Sequence, residues 1–157
     1  MTDPAGASQS ATRDVIGRYL RAVHDGDLDT LSALQHEDYV EDWPQSRERI
    51  RGRANFRKIM ENYPGGLRGA PADVTKDRVV GGEDHWMVAP TFAMIRLSGV
   101  DDVHTAIVKL RYPSGDEWFM VALIEMKDGL VYRATSFFAP TLESPAWRRD
   151  WVEPLPE

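Results

Sequence analysis

The chain contains no cysteine. Neither a disulfide framework nor a thiolate metal site is therefore available, and a reducing cytoplasm is a compatible setting. Positive charge is also scarce, with 19 lysines and arginines against 25 aspartates and glutamates and a net charge of −6. A nucleic-acid or anionic-membrane partner calls for a basic patch, so neither is expected. The arginine-dense stretch "RERIRGR", residues 47–53, reads as a solvated loop rather than a phosphate grip. No apolar run of about 18 residues occurs, which argues against a membrane-spanning helix. The opening "MTDPAGASQSATRD" lacks the basic end and apolar run of a signal peptide, and the expected location is the cytoplasm. Gly-rich phosphate loops, Ser-x-x-Lys and Gly-x-Ser-x-Gly are absent. No pair of histidines with a carboxylate has metal-site spacing, so neither metal nor cofactor is expected.

What is present is a chain of 157 residues, 42% hydrophobic and 28% charged, the signature of one soluble globular domain. Residues 1–9 are small and polar and are expected to be disordered. From Ser10, the residues Val15, Ile16, Tyr19, Leu20 and Val23 recur at helical spacing, and Gly26 is placed to end that helix. Asp27 is placed to cap a second helix, "LDTLSAL", with Leu28, Leu31 and Leu34 on one face. Then comes "EDYVEDWPQS", residues 37–46, a strand running into a proline, followed by the loop "PQSRERIRG". Phe56, Ile59, Met60 and Tyr63 mark a third helix over 53–63, closed by "PGG". Beyond residue 72 the pattern predicts strands at about 72–81, 84–98, 102–113, 116–127 and 130–138, with Pro90 bending the second of these.

Asp128-Gly129 predicts a two-residue type I′ turn. An unbroken ladder from that turn sets Lys127 opposite Leu130, Glu125 opposite Tyr132, Leu123 opposite Ala134 and Val121 opposite Ser136. Both faces of this hairpin are largely apolar. An antiparallel sheet commonly leaves one face wet, so the second face calls for a cover, and a second copy of the sheet supplies one as a two-fold homodimer.

Helical hairpin, third helix and curved antiparallel sheet together resemble the nuclear transport factor 2-like superfamily, in its SnoaL-like (polyketide cyclase-like) and ketosteroid isomerase-like branch. The matching text is "RYLRAVHDGDLDTLSAL", "EDYVEDWP", "RIRGRANF" and "VALIEMKDGLVYRATSFF". The resemblance spans residues 10–140. It implies an α+β fold, a cone-shaped barrel of three N-terminal helices packed on a curved, mostly antiparallel six-stranded sheet, with a small-molecule pocket inside. The tail 141–157, with Trp147 and Trp151 at i, i+4, is expected to pack on the barrel as a short helix or lid.

The resemblance also implies candidate chemistry. The isomerases pair a carboxylate base with an oxyanion hole built from a tyrosine and a protonated carboxylic acid. The tyrosine of "RYL" is Tyr19 and the carboxyl of "VALIE" is Glu125. The base motif "VEDP" is matched by "VEDWP", which leaves two alternatives. Tyr39, Glu41 and Trp43 share one face of a strand and Asp42 takes the other; a bulge before Pro44 would bring Asp42 inward instead. Each candidate has a plainer reading. Tyr19 can be a core tyrosine, Glu125 can pair with Tyr132, Lys109 or Arg111, and His104 can be a sheet residue or a rival acid/base. Expected cavity residues are Tyr19, Tyr39, Trp43, Phe56, Tyr63, Trp86, Phe92, Leu123, Tyr132 and Phe138. The late-strand acid of SnoaL-like cyclases is missing from "RATSFFAPT", and the Arg-x-Asp pair of limonene epoxide hydrolases has no counterpart on a strand, since "RRD" stands only in the tail. The expected function is cofactor-independent acid–base proton transfer on a hydrophobic, aromatic or polycyclic molecule, as an isomerase, cyclase or lyase. The alternative is a non-catalytic binding or dimerisation module.

Overall fold

Proline lacks the N–H that the first turn of a helix has no use for, and Pro4 opens helix α1, Pro4–Asp25, in a computed structural model. The structure describes residues 4–63, 92–100, 102–112 and 114–154, without the side chains of 4–9, 92–94 and 100. The expected disordered stretch 1–9 is thus helical from Pro4, because Ala5, Ala7 and Ala11 favour helix without adding an apolar stripe. Gly26 ends α1 with a φ of 68°. Asp27 then caps α2, Leu28–Leu34, by accepting the Thr30 N–H at 3.1 Å. Leu31 and Leu34 bury their side chains.

Strand β1, Gln35–Trp43, follows with no connecting loop. The turn at 44–47 returns the chain into β2, Glu48–Arg51, which pairs antiparallel with β1. The stretch expected to be a loop is therefore partly strand. Its Ile50 is buried between the outward Arg49 and Arg51, a short alternation that four residues barely reveal. Gln45 fixes the turn, accepting the Phe138 N–H at 2.6 Å while its amide donates to the Phe138 carbonyl. Helix α3, Arg53–Glu61, buries Phe56 and Met60.

Strands β3 (Phe92–Val100), β4 (Val103–Arg111), β5 (Glu117–Lys127) and β6 (Leu130–Pro140) follow, and the sheet order is β2-β1-β6-β5-β4-β3. All pairs are antiparallel except β1 with β6, which is parallel. Among the described residues the six-stranded sheet is mixed and open: β2 and β3 are its edges, and no ladder joins them into the expected barrel. The strand expected at 72–81 and most of the one at 84–98 lie outside the described residues. Among the described residues, no helix is long and apolar enough to cross a membrane.

The β5–β6 hairpin holds the main difference from expectation. Asp128 and Gly129 both have positive φ, 53° and 75°, as a type I′ turn requires. Lys127 faces Leu130 and Met126 faces Val131, but Glu125 faces Arg133 and Ile124 faces Ala134. Tyr132 is the extra residue of a β-bulge. Because side chains alternate, one inserted residue reverses the parity of everything after it. The inner face therefore carries Ala122, Ile124 and Met126 beside Ala134 and Ser136, all buried. Leu123, 45% exposed, and Phe137 stand outside.

The helices cover the inner face, where Ile16, Tyr19, Leu20 and Leu31 join Tyr39, Phe56 and Ile124 in one core. The tail forms a 3-10 helix, Ala146–Trp151, that does not pack on the sheet as expected. Trp147 is 75% exposed and Trp151 78%. In a 3-10 helix an i, i+4 pair does not share one face, so the spacing makes no joint apolar surface.

Candidate functional site

Strand parity decides which residues of "EDYVEDWP" meet the interior. Val40, Glu41 and Asp42 pair in sequence with Arg133, Ala134 and Thr135, without a bulge. Tyr39, Glu41 and Trp43 accordingly point inward and are buried, and Asp42 points out. Asp42 takes a bidentate grip from Arg49, Nε to Oδ1 at 2.6 Å and the second guanidinium nitrogen to Oδ2 at 2.7 Å. The hydrogen-bonded guanidinium holds this carboxyl below its ordinary value. Asp42 is a surface ion pair here and has no access to the interior.

Glu41 occupies the opposite environment. Its Oε1 accepts the Trp43 indole N–H at 2.8 Å and the Ser136 hydroxyl at 2.9 Å. Its Oε2 accepts the Tyr39 hydroxyl at 2.7 Å. Two of the donors stand two residues either side of it on β1, so one strand face builds most of the clamp. Ser136 comes from β6, two residues beyond Ala134, the partner of Glu41 in the ladder. Tyr39 spends its proton on the carboxylate, so the Tyr19 hydroxyl, 2.7 Å away, donates to Tyr39. The result is a relay from Tyr19 through Tyr39 to Glu41. Burial pushes the Glu41 carboxyl above its ordinary value, although the three donors pull it down. The Tyr19 and Tyr39 hydroxyls are also raised, chiefly by burial and then by the Glu41 charge.

Glu41 lies on the wall of a cavity of about 130 Å³. Tyr19, Trp43, Phe56, Tyr63 and Phe138 line it. The remaining lining is mostly aliphatic, with Leu20, Val23, Ile95, Met120 and Ile124 prominent. Phe138 stacks edge-on to Trp43, with ring centroids 6.4 Å apart. The volume is close to that of a cavity of about 150 Å³ known to admit benzene, and below the roughly 300–1,000 Å³ of clefts for drug-sized ligands.

Other expected site residues stand elsewhere. Tyr39 sits behind the wall, its ring edge-on to Phe56 at 5.5 Å. Glu125 and Leu123 fall on the outer face because the bulge puts Ile124 inside, and Glu125 has Arg133 rather than Tyr132 opposite. Tyr132, the bulge residue, packs on the His36 ring and under the Lys127 ammonium. His104 is buried on the inner face of β4 but outside the cavity. Its ring lies against Gly99, where an added Cβ would meet the imidazole Cδ2 at 3.0 Å. Phe92 opens β3 opposite Arg111, and Trp86 lies outside the described residues. No cluster of three metal-ligating side chains occurs among the described residues.

Residues 16–134 match the SnoaL-like domain. The chain belongs to that family. Its fold is shared by solved structures of low sequence identity. A nuclear transport factor 2-like protein of unknown function from Burkholderia xenovorans LB400 is 23% identical, with a TM-score of 0.71 over 94% of this chain and 97% of that one. A candidate ketosteroid isomerase from Kribbella flavida DSM 17836 is 24% identical, with a TM-score of 0.70 over 95% and 93%. An LEH-like epoxide hydrolase of M. tuberculosis is 15% identical, with a TM-score of 0.55 over 84% and 85%. At such identities the likeness carries the fold alone. Among curated proteins, none matches the chain in sequence.

Ser136 and His24, polar members of this SnoaL-like cavity, escape the sequence reading. Ser136 appears as a donor to Glu41 only once the parity of β6 is known. His24 lines the cavity at the end of α1, and its signal was present: it stands at i+4 from Leu20 and so shares that residue's face.

Proposed function

We propose that this SnoaL-like domain catalyses cofactor-independent proton transfer on a small, mainly apolar molecule, as an isomerase, cyclase or lyase does, with Glu41 as the acid/base. One observation carries the proposal: Glu41 is a carboxyl on the wall of a largely aliphatic and aromatic cavity, with its proton affinity raised by burial. A general base works best when its proton affinity lies near the ambient pH, and burial moves a carboxyl in that direction. Trp43, Ser136 and Tyr39 fix the carboxyl so that little reorganisation accompanies the transfer. The Tyr19–Tyr39 relay spreads the charge that remains on Glu41. The cavity volume favours a single ring or a short branched chain over a polycyclic molecule. In this reading the protein works in the cytoplasm as a two-fold dimer.

The test is hydrogen–deuterium exchange at carbon. Small cyclic enones and aryl ketones that bind the protein are incubated in D₂O and followed by NMR. Exchange above the solvent rate is expected, with Glu41→Gln lowering it about 10²- to 10⁴-fold, the usual contribution of a general acid–base group. A protein that binds these compounds and leaves their exchange at the solvent rate is a binding module instead.

A further inference from the structure

Apart from tyrosines, two ionisable side chains line the cavity among the described residues, Glu41 and His24. Glu41 has both oxygens engaged by protein donors. His24 does not: its Nδ1 is buried and has no hydrogen-bond partner among the described residues. Native structures hold few such atoms, because a buried polar group left unpaired forfeits its water without return. Along α1, His24 lies beyond Tyr19 by about 7.5 Å at the α-helical rise per residue, with Leu20 and Val23 of the lining between them. Tyr19 belongs to the Glu41 relay. Glu41 and His24 thus offer the cavity two polar groups set apart along it, with apolar side chains of α1 between Tyr19 and His24.

We infer that the cavity takes a compact, largely apolar molecule carrying an oxygen function at each end, one received by the Glu41 relay and the other by His24 Nδ1. A neutral imidazole meets either kind of oxygen. Unprotonated, Nδ1 accepts a hydroxyl; protonated in the other tautomer, it donates to a carbonyl. The inference rests on the cavity being the ligand site of the preceding proposal and does not require catalysis.

The experiment compares 4-hydroxyacetophenone, with an oxygen at each end of one ring, and acetophenone, with one. Both are titrated by ligand-detected NMR against the wild type, His24→Phe and His24→Asn. The wild type is expected to bind the two-ended probe about tenfold more tightly, near what one hydrogen bond contributes. His24→Phe is expected to erase that preference while still binding acetophenone, which also reports that the variant is folded. His24→Asn is expected to retain part of it. An unchanged preference in His24→Phe overturns the inference, as does a wild type that binds both probes equally or neither. Because affinity is read and not turnover, lost preference with solvent-rate exchange sinks catalysis alone. Intact exchange with a preference blind to His24 sinks this inference alone.

Discussion

Glu41 shows how one side chain's surroundings set its chemistry. Its neighbour Asp42 has the same functional group and the opposite fate, held ionised by Arg49 on the outer face while burial raises the carboxyl of Glu41. This contrast predicts a pH dependence of stability. With its proton affinity raised in the folded state, Glu41 stays protonated in the native protein at pH values where the unfolded chain has lost that proton. Its contribution to stability is therefore full below the ordinary carboxylate value and falls as pH rises through the raised one. Glu41→Gln removes the titrating group. Urea unfolding at a series of pH values should show wild-type stability declining relative to Glu41→Gln from acid to neutral pH; a difference that stays flat would remove the raised affinity from the account. The alternatives at residues 39–43 were legible in the sequence as two parities. Choosing between them needed the ladder to β6, which no local pattern encodes.

Among the elements, the caps and tight turns were legible because their signals are local. Asp27 caps α2 and Asp128-Gly129 turns β5 into β6, each for stereochemical reasons confined to a few residues. Glu125 was misplaced because the bulge at Tyr132 has no such local mark. Neither is a four-residue edge strand such as β2, nor the parallel pairing of β1 with β6, written in spacing. The bulge carries a prediction of its own. Deleting Tyr132 would remove the bulge yet leave Arg133 opposite Glu125 and Ala134 opposite Ile124, so Ala134, Ser136 and Phe138 would keep facing inward. Thermal unfolding should register a loss of about 1 to 2 kcal/mol, for the missing contacts of Tyr132 with His36 and Lys127. A loss beyond about 4 kcal/mol would show that the core depends on the bulge itself.

At the scale of the whole molecule, the helices cover one side of the sheet, and among the described residues apolar side chains stand exposed on the other. Ile107, Phe119, Leu123 and Phe137 are exposed there. Charges at one end of this face are already balanced within the chain, Glu117 taking both Lys109 at 3.1 Å and Arg111 at 2.8 Å. An apolar patch with a self-neutralised rim suits an identical patch, which a two-fold axis supplies. Leu123→Glu at its centre is expected to turn a dimer into a monomer in light scattering, with the cavity intact; a wild type that is already monomeric would count against the proposed pairing. The general α+β architecture was legible in the sequence because helical and strand periods segregate along the chain. The open sheet was not, since closure depends on how its edges lie in space. The central claim nevertheless concerns one carboxyl, and infrared difference titration of wild type against Glu41→Gln tests it most directly. A Glu41 carboxyl raised by burial gives a protonated carboxyl band, absent from the variant, that persists above the pH at which the surface carboxylates have ionised. A Glu41 signal that ionises together with them would contradict the claim.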